Sequence, residues 1–351
     1  LAHPNADLKI EHANLFRWAV KGEQHVELPN LIQAMEQAKS YADNPTSVSA
    51  LIRDCGLTRE MIPTEVQKSP EVWDALLDKM PLGAMIRTLG RMSASGLLAP
   101  LSEASKTVVK RLSDAEYLRK SRVHPIQVLA AILTYGAGRG QKGSLTWTVV
   151  PQVVDALNDA FYASFANAQP TGKNFYLGID VSGSMTMGAV AGLAGLTPNM
   201  GAAAMAMLIA RTEPNHFIGG FATSFVDLCI SKSDRIDAAM SKCQRSFGGT
   251  DASIAITHAL AQKYPVDCFV VISDGESWAG SVHASQALVN YRQKMGRDAK
   301  LVVINMVANK TRVGDPTDPG TLDVVGFDAS VPTIIAGFLG ANVVTSTDET
   351  E

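Results

Sequence analysis

The sequence predicts two architectures in succession: antiparallel helices over residues 1–150, then a doubly wound α/β domain with a parallel sheet over 151–351, its leading helix included. Three observations predict this. Residues 1–170 read as helices joined by short turns, whereas from residue 174 strand-length apolar runs alternate with helical stretches. The runs Phe175–Ile179 and Cys268–Ile272 are mostly apolar without alternation, as strands covered on both faces are. The first run ends in Asp180, with Ser182 and Ser184 following at alternate positions, and the second ends in Ser273 and Asp274. Strand ends in an open parallel sheet share one edge, where ligands collect.

In the helical part, Leu31, Ile32, Met35 and Ala38 trace one apolar stripe, and Val48, Leu51, Ile52 and Cys55 a second, closed by Gly56. Ser69, Pro70 and Glu71 form a helix start, so SPEVWDALLDKM opens a helix burying Trp73, Leu76 and Leu77. The next helix begins at Pro81 and turns Met85, Ile86 and Leu89 inward, with Arg87 and Arg91 one turn apart on another side. HPIQVLAAILTYG is nearly all apolar and reads as a central helix. The loop GAGRGQKG, residues 136–143, resembles a phosphate loop only superficially, because its glycines follow a helix and Lys142 precedes Gly143. Residues 151–168 form a helix with Val154, Leu157, Phe161 and Phe165 inward. No clean period is present, so the helical array is inferred from element lengths.

The second part follows as strand and helix. NMGAAAMAMLIARTEP is a small-residue helix that must pack tightly on the sheet. Strands are expected at 216–221 and 225–230, helices at 233–240 and 254–263, and a strand before Asp274. A helix over 282–294, the strand KLVVINM and a last strand and helix over 324–339 complete it. The tail ANVVTSTDETE is either an edge strand or a free end.

Composition narrows the function classes. With 46% hydrophobic and 19% charged residues the chain is an ordinary folded protein, with room in 351 residues for two or three domains. No run of eighteen apolar residues is present, so no membrane span is expected. The start LAHPNADLKI has no basic segment before an apolar core and does not read as a signal peptide; lacking an initiator Met, it reads as the interior of a larger protein. Cys55, Cys229, Cys243 and Cys268 are scattered and read as free thiols in a reducing compartment, the cytoplasm with the nucleus as a second location.

The net charge of -3 hides an asymmetry. Between Pro81 and Lys142 ten basic residues (Arg87, Arg91, Lys106, Lys110, Arg111, Arg119, Lys120, Arg122, Arg139 and Lys142) face three acids, whereas residues 171–351 carry 13 basic and 17 acidic groups. Such a stretch is either a localised polyanion site or a solvated helical face. His124, beside Arg122 and before Pro125, is either a helix-capping or packing residue or a further contact to such a polyanion.

The chemistry-bearing set is Asp180, Ser182 and Ser184, with Gly183 easing the turn, together with Thr250 and Asp274. Oxygen ligands alone suit a hard divalent cation, Mg²⁺ or Mn²⁺, and no thiol or imidazole in the set favours zinc. The alternative is that Asp180 and Ser182 merely cap a turn. This pattern is similar to the metal-ion-dependent adhesion site of a von Willebrand factor A domain.

The chain as a whole resembles the Ro 60 kDa ribonucleoprotein autoantigen family. The resemblance is carried in order by KSPEVWDALLDKMPLGAMIRTLGRM, RVHPIQVLAAILTYGAG, PTGKNFYLGIDVSGSM, ARTEP and SDGESWAGSVHASQALVNYRQKM. It implies that residues 1–150 are the C-terminal part of a TROVE module of HEAT-like repeats and the remainder a von Willebrand factor A-like domain. Further helices of that module would precede Leu1, so this chain alone would not close the family's ring. The resemblance also implies binding of small noncoding Y RNAs and of misfolded noncoding RNA ends in RNA quality control.

Three function classes compete. One is a non-catalytic RNA-binding scaffold. A second is a protein-interaction module whose metal takes a partner's carboxylate. The third, a phosphatase or nuclease, is opposed by a single metal position, no second carboxylate cluster and no histidine base among the motif residues. Ser182 and Ser184 lack a His–Asp relay and read as ligands.

Overall fold

The computed structural model describes residues 10–23, 27–140, 143–168, 170–190, 196–245, 249–275, 282–308, 313–327 and 330–340. These fall into two compact units, one drawn from 1–114 and 135–156, the other from 115–134 and 157–351.

The helices of the first part are α1 (Ile10–Lys21), α2 (Asn30–Ser40), α3 (Pro45–Cys55), α4 (Pro70–Lys79), α5 (Leu82–Ala94), α6 (Glu103–Ser113), α7 (Ala115–Ser121), α8 (Pro125–Gly136) and α9 (Pro151–Ser164). Sequence neighbours pack on one another: α2 on α3, α3 on α4, α4 on α5 and α5 on α6. The starts and stops have local causes. The Asn44 side chain accepts the Ser47 N–H at 3.0 Å to open α3, and Gly56, at φ 72°, closes it. Ser69 occupies the position before α4, yet its side chain makes no capping bond; Pro70 alone marks that start. Trp73, Leu76, Leu77, Met85, Ile86 and Leu89 are buried as expected. In α2 the buried residues are Ala34 and Ala38, while Leu31 is 37% exposed. The stripe is thus turned toward two alanines an i,i+4 step apart, small enough to let a neighbouring helix approach.

The second part contains β1 (Phe175–Asp180), α10 (Pro198–Thr212), β2 (His216–Phe221), β3 (Phe225–Asp227), α11 (Ile236–Lys242), α12 (Ile254–Ala261), β4 (Cys268–Ser273), α13 (Ala284–Met295), β5 (Lys300–Asn305), β6 (Thr321–Val325) and α14 (Val331–Phe338). Its strands form one six-stranded sheet in the order β3-β2-β1-β4-β5-β6. All pairs are parallel except β2 with β3. The expected doubly wound parallel sheet thus carries one antiparallel edge strand. Only three residues separate Phe221 from Phe225, which allows a hairpin and no crossover. The expected strand at 225–230 is also shorter, because Cys229 takes φ 50° and donates its N–H to Asp227 Oδ1 at 2.7 Å. The tail beyond residue 340 lies outside the described residues.

β1 and β4 are buried along their whole length, and α10 is buried on nearly every side. The small residues of α10 make that possible. Opposite it, a Cβ on Gly178 would stand 2.7 Å from Ala255 Cβ, so glycine in β1 lets α12 lie directly on the strand. The entry to β1 is held by Glu213, whose carboxylate accepts the N–H groups of Thr171 at 2.7 Å and Gly172 at 3.1 Å. All four cysteines are free. Among the described residues no helix is long and apolar enough to cross a membrane.

Candidate metal centre and nucleic-acid interface

β1 is central and delivers Asp180 to the C-terminal edge of the sheet, between β2 and β4. Asp180 Oδ1 accepts the Ser182 N–H at 2.9 Å, which folds the following turn back over the strand end. Its Oδ2 accepts the Ser273 hydroxyl at 2.8 Å, tying β1 to β4. Ser182 and Ser184 hold their Oγ atoms 3.0 Å apart. The turn bearing Thr250 is anchored next door, where the Asp251 N–H donates to Ala222 O at 3.1 Å, just past β2. Thr250 and Asp274 are both buried. The adjacent strands β2, β1 and β4 therefore bring the sequence-predicted residues Asp180, Ser182, Ser184, Thr250 and Asp274 to one edge.

Burial is the largest influence on Asp180 and pushes its carboxyl above the usual range. Hydrogen bonds from Ser182 and Ser273 oppose this, and the charge of Asp274 adds to it. Among the described residues no cluster of three or more His, Cys, Asp and Glu could hold a metal. Any cation here would rest on hydroxyl oxygens with two carboxylates, a donor set that fits a hard ion. Ser273 is the member that sequence reasoning left without a role; its position just before Asp274 at a strand end is the signal. Asp251, also beside the set in sequence, instead accepts the Ser253 N–H and hydroxyl at 2.9 and 2.7 Å and opens α12. Two further buried side chains lie close by in the fold. Asn305 ends β5, and Asn199 sits in the first turn of α10, which packs on the Gly183–Thr186 turn.

The basic residues separate into groups. Arg87, Arg91, Lys110, Arg119, Arg122 and Arg139 are exposed and form no ion pair among the described residues. Lys106 pairs with Glu103 at 2.7 Å, and Lys120 with Glu116 at 2.8 Å, both on open surface. Arg111, expected at an RNA phosphate, is also a structural clasp. Its guanidinium donates to Leu77 O at 2.6 Å and Asp78 O at 2.8 Å, satisfying the last carbonyls of α4. His124 is a helix cap, its Nδ1 accepting the Ile126 N–H at 3.2 Å at the start of α8. Burial pushes that imidazole down to about 4, so it stays neutral at physiological pH. Lys142 lies outside the described residues.

Residues 174–339 match the Ro60 vWA domain family and residues 54–134 the TROVE domain family. The crystal structure of the Deinococcus radiodurans RO protein superposes with a TM-score of 0.86 at 40% identity, covering 94% of this chain and 67% of that one. The chain belongs to the Ro60 family. Among the members it resembles are the RNA-binding protein RO60 of Deinococcus radiodurans, 41% identical over 346 residues, and that of Caenorhabditis elegans, 34% identical over 392. The alignments cover 97% and 98% of this chain, which spans 65% and 60% of the length of those two Ro60 relatives.

Proposed function

We propose that this chain is part of a non-catalytic RNA-binding ribonucleoprotein component. In this reading it takes small noncoding Y-type RNA and the ends of misfolded noncoding RNA in RNA quality control, in the cytoplasm and nucleus. The observation that carries it is similarity along almost the whole chain to relatives named as RNA-binding proteins. The exposed cations of the helical part that form no ion pair among the described residues support it, since phosphate contacts supply most sequence-independent affinity. The test is binding of a structured RNA with a free 3′ tail across a salt series, by this chain and by a full-length relative. Affinity that falls steeply with salt is expected, and salt-independent or absent binding by both proteins would sink the reading.

The same reading gives the sheet edge a Mg²⁺ or Mn²⁺ ion. Ser182, Ser184 and Thr250 would hold it, with Asp180 and Asp274 balancing its charge and an open position left for a protein partner's carboxylate. The oxygen-only donor set supports this. Calorimetric titration of Mg²⁺ is expected to show binding in the wild type and none in Asp180→Ala; equal heats in both would remove the ion from the account.

A further inference from the structure

An open groove of about 380 Å³ in the first unit is lined by Thr64, Glu65, Gln67, Lys68, Arg91, Ala94, Ser95 and Leu145. Three segments build it, and each is fixed from behind. The Thr64–Lys68 side rests on Gln67, whose carbonyl accepts the indole N–H of fully buried Trp73 at 2.7 Å. Gln67 also turns its amide back onto Arg59 O at 3.2 Å. The second side is the end of α5, with Arg91 and Ala94 in its last turn and Ser95 just after it. The third is the loop carrying Leu145, closed by hydrogen bonds from Gly140 N–H to Leu145 O at 2.7 Å and from Trp147 N–H to Gly138 O at 2.9 Å. Trp147 lies so close to Gly90 of α5 that a Cβ there would stand 2.7 Å from its ring. The loop is thereby pinned one turn from Ala94.

The chemistry of the lining is specific. Lys68 and Arg91 are exposed and make no ion pair among the described residues. With Glu65 the lining sums to a single positive charge, which attracts an anion such as a phosphodiester. Leu145, 42% exposed, and Ala94 offer an apolar wall beside the cations. An anion next to a flat apolar group is what one unpaired nucleotide presents, whereas a duplex hides its bases.

We propose that this groove is a subsite for one nucleotide of single-stranded RNA, its phosphate held between Lys68 and Arg91 and its base lying against Leu145 and Ala94. The proposal rests on the RNA-binding reading above and extends that contact to Lys68 and Leu145, residues outside the basic stretch of the sequence.

The test is fluorescence anisotropy of a 5′-labelled single-stranded RNA decamer, titrated across a salt series into the whole chain and two variants. Lys68→Ala with Arg91→Ala is expected to weaken binding at least tenfold and to flatten the salt dependence of log affinity by about 1.4 units, two contacts at about 0.7 each on a single strand. Leu145→Ser is expected to weaken binding several-fold with the salt slope unchanged. All three side chains are exposed, and circular dichroism checks that both variants fold. Wild-type affinity and slope in the folded charge variant would overturn the subsite while leaving RNA binding intact. An unchanged Leu145→Ser variant would overturn the placement of the base. A wild type that binds structured, tailed RNA but no decamer would also overturn the subsite, and one that binds neither would overturn both.

Discussion

Arg111 and Lys110 are neighbours of like charge with different work to do. Arg111 closes α4 through two backbone carbonyls, whereas Lys110 stands in solvent without an ion pair among the described residues. Hydrogen bonds to a charged group contribute about 1.5–3 kcal/mol, so Arg111→Ala is expected to lower stability by about that much. Lys110→Ala should stay within about 0.5 kcal/mol. Urea denaturation of both variants separates the roles, and only the lysine variant is expected to flatten the salt slope of RNA binding, by roughly 0.7–0.9 units. His124 adds a pH dependence. Its folded value is about 4 against an ordinary 6.5, so between these values the unfolded chain holds a proton that the folded one refuses. Stability should therefore fall as pH drops from 6.5 toward 4 and lose no more from this residue below that. His124→Asn, which keeps an acceptor at the start of α8 without titrating, is expected to flatten that window in denaturation measured at a series of pH values.

At the scale of elements, the sheet edge works because neighbouring strands are clamped at matched heights. β1 pairs with β2 up to Asp180 opposite Phe221, and with β4 up to Ile179 opposite Ile272. The Ser273 hydroxyl then reaches Asp180 from the next position along β4. Moving β1 relative to α12 would disturb all of this, and Gly178 sets that distance. Gly178→Ala pushes a methyl into Ala255 and is expected to cost about 1–3 kcal/mol, the usual penalty for overpacking. Thermal unfolding of that variant measures the cost. A Tm within error of the wild type would mean that strand and helix shift freely.

Over the whole molecule, stability and ion binding are expected to be separable. The sheet core is built from Leu177, Ile179, Phe269, Val271, Leu301 and Val303, all buried, and the proposed ion would sit only at its edge. Chelating divalent ions should leave far-UV circular dichroism unchanged and lower Tm only by the linkage term of the lost ligand. Collapse of the spectrum would show that the ion holds the sheet together. Catalysis is expected to be absent as well: labelled RNA incubated with Mg²⁺-loaded protein should release no fragments, and cleavage that vanishes in Asp274→Ala would contradict this.

Much was legible in the chain itself because its signals are local. Apolar runs ending in Asp180 and Ser273, the change from helical to strand periodicity near residue 174, and the small-residue helix α10 each follow from side-chain size and spacing. Hence the sequence alone determined the helical part followed by a sheet domain and the strand that centres the sheet, and it placed oxygen-bearing residues at the ends of neighbouring strands. Tertiary structure decided what depends on distant partners. Charge counts could not show that Arg111 faces the carbonyls of Leu77 and Asp78, more than thirty residues away, while Arg91 faces a groove. Nor could they show that Ser273 is the residue binding Asp180, or that β3 runs backwards. A side chain's type is written in the sequence, but its partner is set by which elements the core brings together.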